Sequence, residues 1–127
     1  MNMTDKHDKL ILVVDDVQMN IEILLAILGP NYNVAVALDG QTALTLAKQD
    51  RPDLILLDVI MPKMNGFEVC KKLKEDASLE NIPVIFLSAL NEEKERKIGL
   101  SLGAIDFIDK PFEIDEIRKK VNGILLS

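Results

Sequence analysis

At 127 residues, 48% of them apolar, the chain is sized for one domain around one core. Its 21 acidic residues against 15 basic ones leave a formal net charge of −6. That is the wrong sign for gripping nucleic acid or an anionic membrane, and points to an acidic surface or pocket that holds a cation. No apolar run nears the ~20 residues of a membrane span. The N-terminal MNMTDKHDK has no apolar signal core, and the lone Cys70 cannot close an internal disulfide. A reducing, cytoplasmic setting is expected.

The first apolar run, LILVVD (Leu10 to Asp15), reads as a central strand covered on both faces. Ile21, Leu24, Leu25 and Leu28 follow at i, i+3, i+4 and i+7 and predict a helix that stops at Gly29-Pro30. NVAVA (Asn33 to Ala37) mixes small residues with valines and predicts an edge strand. Ala43, Leu44 and Ala47 mark a second helix ending before Pro52. DLILLD (Asp53 to Asp58) is a second central strand, and Phe67, Cys70 and Leu73 give a third helix in which Cys70 packs as a small core residue. PVIFLS (Pro83 to Ser88) is a third central strand. The next helix, NEEKERKIGLSLG, opens with Asn91 as an expected N-cap and two acids in its first turn. Ile98, Leu100 and Leu102 all fall in its second half, which predicts loose anchoring, and the run EEKERK reads as a solvated face. AIDFI (Ala104 to Ile108) carries an acid and predicts the other edge strand. Ile114, Ile117, Val121 and Ile124 predict the last helix. His7 lies in the polar tail and reads as inert.

Five β-α repeats imply a parallel sheet with helices on both faces and right-handed crossovers. At this length the expectation is an α/β, flavodoxin-like (βα)5 domain with strand order 2-1-3-4-5. Ligands of such sheets bind at the carboxyl ends of the strands, where the winding reverses between strands 1 and 3. Those ends hold Asp15-Asp16, Asp58, Ser88 and Lys110-Pro111. The fold therefore gathers three carboxylates, a hydroxyl and an ammonium around one crevice. Two carboxylates ~4 Å apart repel by roughly 4 kcal/mol in a surface-like dielectric, which a hard divalent cation offsets. Oxygen donors with incomplete protein coordination suit Mg²⁺, which keeps several waters. Cation, lysine and hydroxyl together are equipment for stabilising a phosphoryl group, and one carboxylate is left to act as nucleophile.

The set VVDD, LILLDVIMPKMNG, PVIFLSA and LGAIDFIDKPF resembles the receiver domain of two-component response regulators, in order and spacing over about residues 9–126. The resemblance implies a single receiver domain over 1–127, with residues 1–8 as a polar tail. It implies Asp58 as phosphoacceptor, Asp15 and Asp16 as the acidic pair for Mg²⁺ (with Mn²⁺ as a substitute), and the Ile60 backbone carbonyl as a further ligand. Asp58 itself completes the metal set. Lys110 is implied to pair with the phosphoryl oxygens through a cis Lys110-Pro111 bond. Ser88 is implied to hydrogen-bond the phosphoryl group, and Phe107 to be the switch aromatic, both drawn inward by phosphorylation. Phe107 has no ring hydroxyl, so its switch is expected to work by burial alone. Ile60 and Leu90, two residues past Asp58 and Ser88, are expected to limit attacking water. The implied partners are a sensor histidine kinase or phosphotransfer protein as donor, and an effector or downstream protein on the helix 4, strand 5, helix 5 face. A phosphorylation-linked homodimer belongs with these. DVIMPKMNGFEVCKKLKED with NIPVIFLSAL also resembles receivers fused to cyclic-di-GMP enzymes or to kinases.

Other readings of the same residues stand beside this one. Asp58 could be a strand-ending turn residue, Asp15 and Asp16 caps of the first helix, and Phe107 ordinary core. A haloacid-dehalogenase-type phosphatase would need an acid two residues after its nucleophile, where Val17 stands after Asp15. A flavin binder would need a Ser/Thr/Gly-rich loop where DDVQMN stands. A receiver that is never phosphorylated and acts as an interaction scaffold is the third.

Overall fold

Strands and helices alternate through the computed structural model, which describes residues 8–89 and 92–126. They are β1 (Leu10–Val14), α1 (Gln18–Leu28), β2 (Asn33–Ala37), α2 (Gly40–Asp50), β3 (Leu54–Asp58), α3 (Gly66–Glu75), β4 (Val84–Ser88), α4 (Glu93–Ser101), β5 (Asp106–Asp109) and α5 (Ile114–Leu125). The sheet is parallel with order β2-β1-β3-β4-β5, as expected. His7, Leu90 and Asn91 lie outside the described residues. No helix among the described residues is long and apolar enough to cross a membrane.

Side chains alternate across a strand, so the all-apolar central runs feed two core layers at once. Leu12, Val14, Ile55, Leu57, Val84 and Phe86 point to the layer of α2 and α3. Ile11, Val13, Leu54, Leu56, Ile85 and Leu87 point to the layer of α1 and α5. Their rigidity fixes where the next residue in each strand, the functional one, comes to rest.

Several boundaries and faces differ from the sequence expectation. β5 starts at Asp106 rather than Ala104, because Ala104 is still held by the turn that ends α4, its N–H donating to Gly99 O at 3.2 Å. In α1 the buried stripe runs Ile21, Leu24, Ile27 and Leu28, and Leu25 turns outward. The two positions lie 200° apart around a helix, and tertiary packing selects Ile27. Ile114 is likewise exposed at the start of α5, while Leu125 is buried at its end. Neither Asp15 nor Asp16 caps α1; the N-cap is Val17, with no side-chain bond. Asp15 Oδ1 instead accepts the Val17 N–H at 2.9 Å, the amide of the N-cap residue itself rather than one in the first turn.

α4 buries Gly99 alone among its residues, while Ile98 and Leu100 are exposed. β5 is an edge strand, with β4 as its one sheet neighbour. Backbone groups of β5 are taken by side chains: the Phe107 N–H by Asp106, the Phe107 carbonyl by Lys120 and the Asp109 N–H by Glu116 Oε1 at 3.2 Å.

Candidate functional site

β1 and β3 pair in register through Val14 and Leu57, so the residues that follow, Asp15 and Asp58, emerge side by side. Asp15 is fully buried and Asp58 is 4% exposed, while Asp16 faces solvent. One carboxylate oxygen from each of the three lies within 4.8 Å of the others. Lys110 reaches in from the end of β5, its Nζ 3.1 Å from Asp58 Oδ1 and 3.2 Å from Asp15 Oδ2. The peptide bond that follows it, Lys110-Pro111, is cis. Ser88 is buried at the end of β4, and its carbonyl accepts the Lys110 N–H at 2.9 Å. The structure thus brings Asp15, Asp16, Asp58, Ser88 and Lys110 to one edge.

Burial pushes the Asp58 carboxyl up from its ordinary 3.8 to about 6, and the neighbouring Asp15 charge adds to the rise. Lys110 and the Ile60 N–H, 3.3 Å from Oδ1, act in the opposite sense. Among the described residues one ammonium faces three carboxylates, an excess of negative charge. The carboxylate donors are all hard oxygens, one from each of Asp15, Asp16 and Asp58 within 4.8 Å of the others. That donor set fits a Mg²⁺ ion with part of its water shell. Asp15, Asp16 and Asp58 would hold it, with the Ile60 carbonyl nearby in sequence; the Ile60 side chain itself is 63% exposed. Protons and the cation compete for Asp58. Mg²⁺ affinity is therefore expected to fall about tenfold between pH 7.5 and pH 5, read by calorimetric titration of the metal into the protein.

Phe107 is buried at 3%. Its ring lies 5.4 Å from that of Phe86, and the Arg96 guanidinium sits 5.0 Å from its centroid. The ring thus already stands in the inward position in this structure.

Three contributors were not legible beforehand. Asn20 donates to Asp15 Oδ2 at 3.1 Å and helps orient it; an asparagine two residues into a helix gives no warning of that. Arg96 is, by sequence, one more charge in EEKERK. Gly66 lies so close to the back of the site that a Cβ there would stand 2.1 Å from the Asp58 carbonyl oxygen and 2.9 Å from Val59 Cα. Since both obstacles are backbone, they cannot yield without displacing Asp58. Gly66→Ala is expected to cost about 2–3 kcal/mol in chemical denaturation, the scale of a severe overpacking.

A (βα)5 sheet with three carboxylates, a hydroxyl and an ammonium at its carboxyl edge has the architecture of a phosphoacceptor signalling domain. The chain belongs to the response regulator receiver domain family, whose profile matches residues 11–122. The response regulator PleD of Caulobacter vibrioides is 50% identical over 104 residues, covering 81% of this chain and 23% of PleD. The alkaline phosphatase synthesis transcriptional regulatory protein PhoP of Bacillus subtilis is 42% identical over 119 residues, 93% of this chain and 49% of PhoP. The chain thus spans less than half the length of either relative. Among solved structures, the receiver domain of the sensor histidine kinase PA1611 of Pseudomonas aeruginosa superposes with a TM-score of 0.86 at 27% identity, covering 95% of this chain and 100% of that one. That structure has a magnesium ion coordinated in its active-site cleft.

Proposed function

We propose that the chain is a phosphoaspartate switch, in which Asp58 takes a phosphoryl group from the phosphohistidine of a sensor kinase or phosphotransfer protein in the cytoplasm. The observation that carries this reading is the pairing of a nearly buried Asp58 with Lys110 at 3.1 Å beside Asp15 and Asp16. An Asp58 carboxylate oxygen attacks phosphorus; the O–P bond forms as the P–N bond breaks. The bonding pair leaves with the imidazole nitrogen, which takes a proton from water, and an acyl phosphate remains. Because the raised pKa of about 6 still lies below physiological pH, Asp58 is mostly ionised and able to attack. Lys110 lies where it can neutralise a phosphoryl oxygen, and the Ser88 hydroxyl, at the same edge, would donate to another. The Mg²⁺ that Asp15, Asp16, Asp58 and the Ile60 carbonyl would hold, or Mn²⁺ in its place, supplies further charge stabilisation for the phosphoryl oxygens.

The output follows from redistribution between two packings of the α4, β5, α5 face, read by an effector domain, a downstream protein or a second copy of the chain. The weak burial of α4 supports a face that can be repacked. Incubation with acetyl phosphate and Mg²⁺ followed by intact mass tests the chemistry. Wild type is expected to gain one phosphoryl group and Asp58→Asn none. No adduct in wild type, or one that persists in Asp58→Asn, would overturn the proposal and favour a scaffold that is never phosphorylated.

A further inference from the structure

Most charges of the EEKERK run behave as a solvated face. Lys97, for example, pairs with Glu93 at 3.6 Å with both side chains open to water. Arg96 departs from this pattern. It lies three residues before Gly99 and so on the same face of α4. Gly99 meets the sheet so closely that a Cβ there would stand 2.6 Å from Phe107 Cζ and 3.0 Å from Phe86 Cε2. One turn earlier, the Arg96 guanidinium covers the Phe107 ring and forms an ion pair with the Asp109 carboxylate. A planar guanidinium can stack on a ring with its face while its edge binds a carboxylate; an ammonium cannot do both equally well.

Asp109 is the residue before Lys110, whose ammonium bridges Asp58 and Asp15. Arg96 is therefore joined on one side to the switch aromatic and on the other to the chain that leads directly into the site. Gly99 is the one buried residue of α4 and brings no side chain, so apolar area does little to fix where this helix sits. We propose that Arg96 is a positioning residue that fastens α4 to Phe107 and Asp109, so that the helix follows the end of β5 when the site changes. In this role it never touches the phosphoryl group. Without it, Asp58 chemistry persists but α4 no longer reports on it. The reporting half of this proposal rests on the phosphoaspartate reading; the fastening half does not.

Hydrogen exchange read by mass spectrometry on the whole chain tests both halves. With no donor present, Arg96→Met is expected to speed exchange of the α4 amides about tenfold, leaving β1 and β3 protected. Lys97→Met, one residue away, is expected to stay within about twofold of wild type, and Arg96→Lys to fall between, because charge returns without planar stacking. After acetyl phosphate and Mg²⁺, wild-type α4 is expected to change its exchange. Arg96→Met is expected to carry the same phosphoryl mass and show no further change. Resting α4 exchange in Arg96→Met within about twofold of wild type would overturn the fastening. A phosphorylation-linked change as large as in wild type would overturn the reporting. Should wild type gain no adduct, it is the phosphoaspartate reading that fails, and the resting comparison still decides on Arg96. If Arg96→Met is unfolded by circular dichroism, Asp109→Asn removes the same ion pair from the other side and is read in the same way.

Discussion

Asp58→Asn is expected to raise the melting temperature of the metal-free protein at the same time as it removes the phosphoacceptor. At neutral pH the wild-type fold holds an ionised Asp58 in a buried place beside Asp15, and both burial and the neighbouring charge disfavour it. An amide of the same shape carries no charge to bury and keeps an oxygen for the Ile60 N–H. The gain should be about 1–2 kcal/mol at pH 7.5, a rise in Tm of about 3–8 °C for a domain of this size. The effect fades as Asp58 takes up its proton. A carboxyl whose folded pKa lies above its ordinary 3.8 contributes stability that is fully present below about 3.8 and lost as pH rises through about 6. The advantage of the asparagine should therefore shrink from pH 7.5 to pH 5. Thermal melts of both proteins at the two pH values, without metal, check this. An asparagine variant less stable than wild type at pH 7.5 would contradict the electrostatic account of the site.

Lys110→Met should have the opposite effect on stability and slow the chemistry without abolishing it. Among the described residues, the lysine is the single cation within 4 Å of both buried carboxylates, 3.2 Å from Asp15 and 3.1 Å from Asp58. Removing it leaves two buried negative charges facing each other. Breaking a buried pair costs up to about 3–5 kcal/mol; with the lysine partly open to solvent, about 2–4 kcal/mol is expected here. The loss should be smaller at pH 5, where Asp58 holds its proton, and smaller with Mg²⁺, which replaces the missing charge. Phosphorylation by acetyl phosphate should slow about a hundredfold, the scale of removing one preorganised charge from a phosphoryl transition state. Combining Lys110→Met with Asp58→Asn should recover part of the stability, because the second change removes the charge that the first left unpaired. A simply additive double variant would mean that the two residues do not act on each other.

Much of this site could be read in the sequence because its members each sit at the end of a strand. The all-apolar runs ending in Asp15, Asp58 and Ser88 state both the strand and its terminus, and parallel topology does the rest. Lys110 was legible through the KPF that marks its turn. Features that depend on which face a helix presents were not. Leu25 and Ile27 are equally apolar, and only contact with the sheet chooses between them. Arg96 and Lys97 are adjacent charges in one run, yet a rotation of 100° sends one over an aromatic ring and the other into water. The burial of Phe107 and the closeness of Gly66 to the Asp58 backbone arise between segments far apart in the chain. No local pattern records them.

The side chains that close the margin of β5 carry one further consequence. Bare strand margins are where other chains add on, the common first step toward fibrils and insoluble assemblies. Here Asp106, Lys120 and Glu116 have already claimed donors and acceptors along that margin. A visitor to this side finds side chains to read rather than backbone to extend. Recognition across it can then be rewritten by substitution, partner by partner, while the scaffold beneath stays the same.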